Sequence, residues 1–285
     1  LRVLDLFSGI GGFSLGLERA GMHTVAFCEI DPYCRAVLRK HWPNVPVHGD
    51  VRELTADVLG LAQGNGWGAR RPGRPDPAGT GECEPEQSLS IDVICGGFPC
   101  QDISVAGKGA GIEGERSGLW SQYARVVGEV RPRYVIVENV AALLGRGLDQ
   151  VLGDLAALGF DAEWHCIPAS AVGAPHRRDR IWIVAYATGD DECGMAADQG
   201  GEGQRWHQSG NGGSHHVAHA GWLTPQRFRS SVGEIGEPDW WLSEPDVGRV
   251  AHGIPARVDR LRALGNAIVP QIAEIIGRAI MKADR

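Results

Sequence analysis

Val3-Leu4-Asp5-Leu6-Phe7-Ser8-Gly9-Ile10-Gly11-Gly12-Phe13 opens the chain and decides its fold. The apolar run Val3–Phe7 predicts a buried strand, the glycines predict a tight turn, and a helical pattern follows from near Phe13. Glycines let a backbone approach a ligand closely, and a helix N-terminus offers N–H groups with no partner inside the helix. A strand, turn and helix in this order begin an α/β domain, whose ligands sit beyond the carboxyl ends of its strands.

The same rhythm continues outward from this stretch. Strands are predicted over Val3–Phe7, Thr24–Glu29, Ile91–Cys95, Tyr134–Val137, Ala162–Ile167 and Ile181–Tyr186. Helices fit between them. Asp31 is a natural N-cap with Pro32 at the first helical position, and 119–130 and 148–158 carry helical periodicity. The expectation is a doubly wound α/β domain over 1–187, built on a parallel sheet covered on both faces.

Two segments break the pattern. Residues 60–90 are rich in Gly, Pro and charge and read as a surface insertion in a loop. Residues 188–255 begin with Gly, Asp, Gln and His and continue with Trp222, Phe228, Trp240, Trp241 and Leu242, which predicts a small, irregular second domain. The closing segment, 256–285, carries a helix over 271–282 whose apolar stripe is Ile272, Ile275, Ile276, Ala279 and Ile280. A stripe that dense needs a large partner, so this helix is expected to return to the sheet.

Composition narrows the class. A hydrophobic fraction of 43% and a charged fraction of 22% are ordinary for a globular domain, and no apolar stretch approaches membrane-spanning length. The chain enters a strand at once, so no signal peptide is expected, although Leu1 is not a start methionine. Seven cysteines at irregular spacing argue against a disulfide framework and for a reducing compartment. Cys28, Cys34, Cys95 and Cys166 sit in apolar runs and are expected in the core. The net charge of −7 lends no support to a nucleic-acid partner, but Arg70-Arg71-Pro72-Gly73-Arg74, Arg131-Pro132-Arg133 and His176-Arg177-Arg178-Asp179-Arg180 concentrate positive charge locally. His215-His216-Val217-Ala218-His219 lacks the Cys or carboxylate that would complete a four-ligand site, so no metal is expected.

Two strand ends bear chemistry. Ile91-Asp92-Val93-Ile94-Cys95-Gly96-Gly97-Phe98 runs into Pro99-Cys100-Gln101, and Tyr134-Val135-Ile136-Val137 runs into Glu138-Asn139-Val140. Parallel strands would set this thiol and this acid side by side on the ligand edge. The opening turn is sharpened by Glu29, which follows Asp5 by 24 residues (29 − 5) at the end of the second strand, where an acid can hold both ribose hydroxyls. Asp50, in Gly49-Asp50-Val51, is placed to accept from an adenine amine. Asp5, Glu29 and Asp50 crowd the site with negative charge, which disfavours a phosphate-bearing cofactor and favours a cationic adenosine. S-adenosylmethionine meets both conditions.

With these pieces in order, the chain resembles the C5-cytosine DNA methyltransferases of bacteria and phage. The resemblance rests on Asp5–Gly12, Glu29-Ile30-Asp31, Gly49-Asp50-Val51, Gly97-Phe98-Pro99-Cys100-Gln101-Asp102-Ile103-Ser104, Glu138-Asn139-Val140, Pro175-His176-Arg177-Arg178-Asp179-Arg180-Ile181 and Gly265-Asn266-Ala267. It covers 1–187 and 250–285, and it implies a Rossmann-like S-adenosylmethionine-dependent catalytic domain with a small target-recognition domain. It further implies cofactor contacts at Phe7, Gly9, Gly11, Glu29, Ile30, Asp50, Phe98, Leu119 and Asn266.

The implied chemistry needs these residue types. C5 of cytosine is a poor nucleophile until a thiolate adds at C6 and breaks the conjugation, the role implied for Cys100. Glu138 would contact N3 and the exocyclic amine, while Arg178 and Arg180 would hold the cytosine O2 and the Glu138 carboxylate. The target base must leave the stacked duplex, and Gln101, Ser104, Lys108 and Arg116 are candidates to meet DNA during that step. The resemblance implies double-stranded DNA as partner, a monomer in the bacterial cytosol, and room for a cognate restriction endonuclease.

His176 stands where the family usually has glutamine, and the 60–90 link is longer than is usual there. An NAD-dependent oxidoreductase would need a third glycine in the opening turn and gives no role to Pro99-Cys100. A tRNA methyltransferase would share the chemistry, but the Pro99-Cys100-Gln101 block and the insert after Tyr186 favour DNA. A module without catalysis is disfavoured because every reactive position is filled.

Overall fold

The structure is a computed structural model and describes residues 1–61, 90–99, 119–188 and 257–284. Strands β1 (Arg2–Leu6), β2 (His23–Cys28), β3 (Val47–His48), β4 (Val93–Gly96), β5 (Tyr134–Val140), β6 (Phe160–Pro168) and β7 (Asp179–Ala187) form one sheet in the order β3-β2-β1-β4-β5-β7-β6. All six strands predicted from sequence are present. The additional one, β3, is two residues long and too short to leave a periodic signal.

The strand order turns back on either side of β1, between β2 and β4, which places the topological switch point at the opening glycine turn. One expectation is corrected: the sheet is not wholly parallel, because β7 runs antiparallel to both β5 and β6. The cause is local. Only a short 3-10 turn, Ala169–Val172, and a loop lie between β6 and β7, and a parallel neighbour would need a full crossover.

Helices α1 (Gly12–Arg19), α2 (Pro32–His41), α3 (Leu119–Val130), α4 (Leu148–Ala157), α5 (Arg257–Asn266) and α6 (Pro270–Ala283) complete the described fold. Two apolar clusters lie on opposite faces of the sheet, as alternating strand side chains require. Leu4, Leu6, Val135 and Val137 meet Trp120, Tyr123 and Val127 of α3 and Leu155 of α4. Val3, Val93 and Ile136 meet Phe13 and Leu17 of α1 and Ile272, Ile276 and Ile280 of α6. The apolar stripe expected for the closing helix therefore does cover the sheet.

Local chemistry explains the element ends. Asp31 caps α2 by accepting from the N–H groups of Tyr33 (2.9 Å) and Cys34 (3.0 Å), with Pro32 in the first turn. Gly11, with φ of 85°, makes the left-handed turn that starts α1. Close helix contact explains Gly16: a Cβ there would lie 2.2 Å from the Pro270 carbonyl oxygen of α6.

Cys166 is corrected from core to exposed, while Cys28, Cys34 and Cys95 are buried as expected. It lies on β6, an edge strand whose outer face is open, so the apolar run there marks β-propensity rather than burial. The basic run at 131–133 serves the fold: Arg131 donates to the Leu158 carbonyl (2.8 Å), and Arg133 pairs with Asp284 and lies over the Tyr134 ring. Arg70, Arg71 and Arg74, residues 62–89 of the 60–90 insertion and all but the first residue of 188–255 lie outside the described residues.

Candidate active site

The carboxyl ends of β1, β2, β4 and β5 converge on one edge of the sheet. After β1 the chain takes three positive φ angles within five residues, at Phe7 (52°), Gly9 (55°) and Gly11 (85°). Phe7 is the only one with a Cβ, a sparsely populated conformation for such a residue. The turn is fastened to β2. Ser8 N–H donates to the Cys28 carbonyl (3.2 Å), and Ser8 Oγ donates to the Asp5 carbonyl (2.6 Å).

Glu29 sits at the centre of this edge and is almost fully buried. Gly9 N–H donates to its Oε2 and Asp31 N–H to its Oε1, both at 2.7 Å. Two backbone donors fix the carboxylate while each oxygen keeps a further lone pair, which suits it to accept from two hydroxyls. Ile30 beside it is 63% exposed and offers an apolar surface at the mouth. Asp50 is gripped by Arg52 through Nε and Nη2, with Oδ2 at 2.7 Å from Nη2, and these bonds hold its carboxyl below the usual range. The α1 N-terminus carries no side-chain cap, so its N–H groups face the turn. This donor set, acidic at the ribose end, fits a cationic adenosine cofactor.

Asp5 does not belong to that acidic edge, which corrects the expectation that it crowds the cofactor. Strand alternation turns it to the α1 face, where it is fully buried and Ser14 Oγ donates to its Oδ2 at 2.7 Å. Its Oδ1 has no hydrogen-bond partner, and burial pushes its carboxyl up to about 7.

Glu138 stands at the end of β5, 8% exposed. Arg180 Nε lies 3.1 Å from its Oε1. Burial pushes the Glu138 carboxyl up, and the positive charges of Arg180 and Arg178 oppose that shift. Parallel pairing of Gly96 with Val137 brings the exit of β4 alongside Glu138. Asn139 Nδ2 then donates to the Phe98 carbonyl (3.1 Å), holding the Gly97-Phe98-Pro99 turn against β5.

Cys100 lies one residue beyond the described turn, and Gln101, Ser104, Lys108 and Arg116 also lie outside the described residues. The buried thiols within them are poor nucleophiles. Desolvation pushes Cys28 and Cys34 up to about 12 and Cys95 well above its ordinary value.

Phe98 is buried and Leu119 partly so, both packed in the α3-side core. Phe98, Trp120, Tyr123 and Phe7 form a continuous row of rings, with centroid separations of 5.4, 5.4 and 6.4 Å. The row joins the opening turn to the turn that leads to position 100. Sequence reading missed it, although the spacing of Trp120 and Tyr123 on one helix face carried the signal.

Asn266 is the last residue of α5 and is exposed. Arg178 Nη1 donates to the Gly265 carbonyl (2.8 Å) and its Nη2 to the Ala267 carbonyl (2.7 Å). A cleft of about 840 Å³ runs beside the glycine turn, walled by Ile10, Gly11, Trp42, Arg178, Ala267 and Ile268 among others.

Known proteins share this sequence pattern and this fold. The model of the family described as C-5 cytosine-specific DNA methylase matches residues 1–208. The chain belongs to that family.

Among relatives of this methylase family, Type II methyltransferase M2.BsuMI of Bacillus subtilis is 32% identical over 193 residues, covering 65% of this chain and 42% of the relative. Type II methyltransferase M.Eco47II of Escherichia coli is 35% identical over 190 residues, covering 64% and 39%. The chain thus matches less than half the length of these two relatives. A putative DNA modification methyltransferase encoded within an Escherichia coli prophage is 17% identical with a TM-score of 0.58, covering 99% of each chain. The Dnmt2 methyltransferase of S. pombe is 17% identical with a TM-score of 0.56, covering 100% of each. These two structures support the Rossmann-like methyltransferase fold.

Proposed function

We propose that this chain is a DNA cytosine-5 methyltransferase acting on a flipped-out cytosine in duplex DNA through a covalent bond from Cys100 to C6. The observation that carries the reading is Glu138, an acid with a raised pKa, held by Arg180 beside the strand exit that leads to Cys100. Residues 1–187 are the catalytic domain, 188–255 the target-recognition region, and 256–285 the segment that rejoins the catalytic domain.

S-adenosylmethionine supplies an electrophilic methyl group when bound. Glu29 would accept from its ribose hydroxyls and Asp50 from the adenine amine. Phe7, Gly9, Gly11, Ile30, Phe98, Leu119 and Asn266 are the other residues that would hold it. The Cys100 thiolate adds to C6 as Glu138 gives its proton to N3, so the electron pair of the C5–C6 bond becomes available at C5. Transfer of the methyl group to C5 would break its bond to the sulfonium sulfur and leave the donor as S-adenosylhomocysteine. C5 would then give its proton to water, and the C6–S bond would break as N3 returns its proton to Glu138, so that the products are 5-methylcytosine, S-adenosylhomocysteine, a proton and the regenerated thiolate. Gln101, Ser104, Lys108 and Arg116 contact DNA around the extruded base.

The Type II label of the relatives, carried to this chain, adds a cognate restriction endonuclease as partner and a monomeric enzyme in the bacterial cytosol. No helix among the described residues is long and apolar enough to cross a membrane, and those residues contain no cluster of metal-binding side chains.

The test uses duplexes containing 5-fluorocytosine, whose fluorine blocks loss of the final proton. With S-adenosylmethionine present, the protein should form a denaturation-resistant adduct that peptide mapping assigns to Cys100. Cys100→Ser should form none while still retaining DNA. Absence of any adduct across a sequence-complete panel of duplexes, or adduct formation with tRNA instead, overturns the proposal.

A further inference from the structure

We infer that Arg178 is a positioning residue for the cofactor contact Asn266 and does not read the target base. The inference rests on the proposed function, in which Asn266 touches S-adenosylmethionine.

Arg178 immediately precedes β7 and Arg180 is its second residue, and at two residues apart a continuous regular strand would aim both at one face. The chain avoids this. Arg178 has φ of 40°, a left-handed conformation that a residue with a Cβ rarely adopts and that re-aims its side chain. Arg180 remains with Glu138, whereas the Arg178 guanidinium donates to the carbonyls of Gly265 and Ala267.

Those two carbonyls flank Asn266. The last carbonyls of a helix have no partner within it, and a cation is favoured at that end of the helix dipole. A planar guanidinium can span two carbonyls two residues apart, which a lysine ammonium does less well. Arg178 thereby fixes the peptide plane before Asn266 and the one after Ala267, and so restrains the segment that carries the Asn266 amide. The same helix is fastened a second time, by Arg262 to Asp31, next to the exposed Ile30. Both fastenings fall beside residues assigned to the cofactor. One strand start therefore serves two pockets: Arg180 the base, Arg178 the methyl donor.

The test measures S-adenosylmethionine affinity by calorimetry, together with steady-state KM for duplex DNA, in Arg178→Ala, Arg178→Lys, Asn266→Ala and Arg178→Ala/Asn266→Ala. Thermal unfolding of each variant checks that the fold is kept, and Arg178→Lys serves if the alanine variant does not fold. Arg178→Ala should weaken S-adenosylmethionine binding about tenfold, a scale expected when charge-assisted hydrogen bonds that place a contact are removed. Its KM for DNA should move less than about twofold. Arg178→Lys should fall between, and the double variant should bind no more weakly than Asn266→Ala, since both act through one contact. Weakened binding in Asn266→Ala with full affinity in both Arg178 variants overturns this inference alone. Unchanged binding in Asn266→Ala overturns the assignment of Asn266 and the inference with it. A raised DNA KM with unchanged cofactor affinity in Arg178→Lys assigns Arg178 to the base and also overturns it.

Discussion

Gly97 makes room for Glu138. A Cβ on Gly97 would lie 2.9 Å from Glu138 Oε2, while Arg180 holds Oε1 from the other side. The carboxyl is clasped on one oxygen and left space on the other, between a glycine turn and an arginine.

Gly97→Ala should therefore displace the Glu138 carboxyl by a few tenths of an ångström or more and lower kcat by roughly tenfold, because general acids are sensitive to position. Cofactor affinity should change little. Single-turnover methyl transfer with saturating DNA checks this, and an unchanged rate would show that the second oxygen needs no such room.

Glu138→Gln should lower turnover by about 10²–10⁴, the usual contribution of a proton donor. The direction of the pH effect follows from burial. A raised carboxyl pKa keeps the protonated, donating form present closer to neutrality, and activity should fall as pH rises through that pKa. Arg180 opposes the rise, so Arg180→Gln should move the falling limb to higher pH while also loosening the carboxyl. A pH–rate profile with no shift of that limb would remove Arg180 from the control of Glu138.

Asp5 predicts a pH dependence of stability. Its carboxyl is raised from 3.8 to about 7 in the folded chain. Between those values the folded state keeps a proton that the unfolded state has lost, so its contribution is full below about pH 4 and disappears as pH rises through about 7. Asp5→Asn retains an acceptor for Ser14 and cannot ionise. Its unfolding midpoint should lose less between pH 4 and 8 than that of the unaltered chain, and parallel pH curves would contradict the assignment.

Gly16→Ala should be strongly destabilising. The added methyl would lie 2.2 Å from the Pro270 carbonyl and 2.7 Å from the Ala273 Cβ, so α1 and α6 must separate. A cost of about 3 kcal/mol is expected for such overpacking, which is a fall in Tm of roughly 6–12 °C for a chain of this size. Calorimetry checks it, and a shift under about 2 °C would mean that the helices part easily.

Residue patterns that depend on neighbours along the chain were readable, and those set by pairing in space were not. The apolar runs of β1, β2, β4 and β5 marked the strands, and Asp31-Pro32 marked the start of α2 with its cap. Periodicity carries no information on direction, which is why the reversal of β7 was invisible. Asp5 looked like a cofactor residue because sequence spacing cannot tell which sheet face it points to, and strand alternation turned it toward Ser14. Cys166 looked buried because an edge strand is as apolar in sequence as a central one. At Arg178, a single positive φ accompanies a guanidinium bonded to the Gly265 and Ala267 carbonyls, and nothing in the motif signals that angle.

The crossing of α1 and α6 has a consequence for synthesis. Phe13 and Leu17 of α1 have their apolar cover in Ile272, Ile276 and Ile280 of α6, far later in the chain. A growing polypeptide on the ribosome must carry that uncovered surface through the production of some 250 intervening residues (272 − 17 = 255). Closure of this face of the sheet therefore waits on α6, and nascent chains halted before it are natural clients for chaperones.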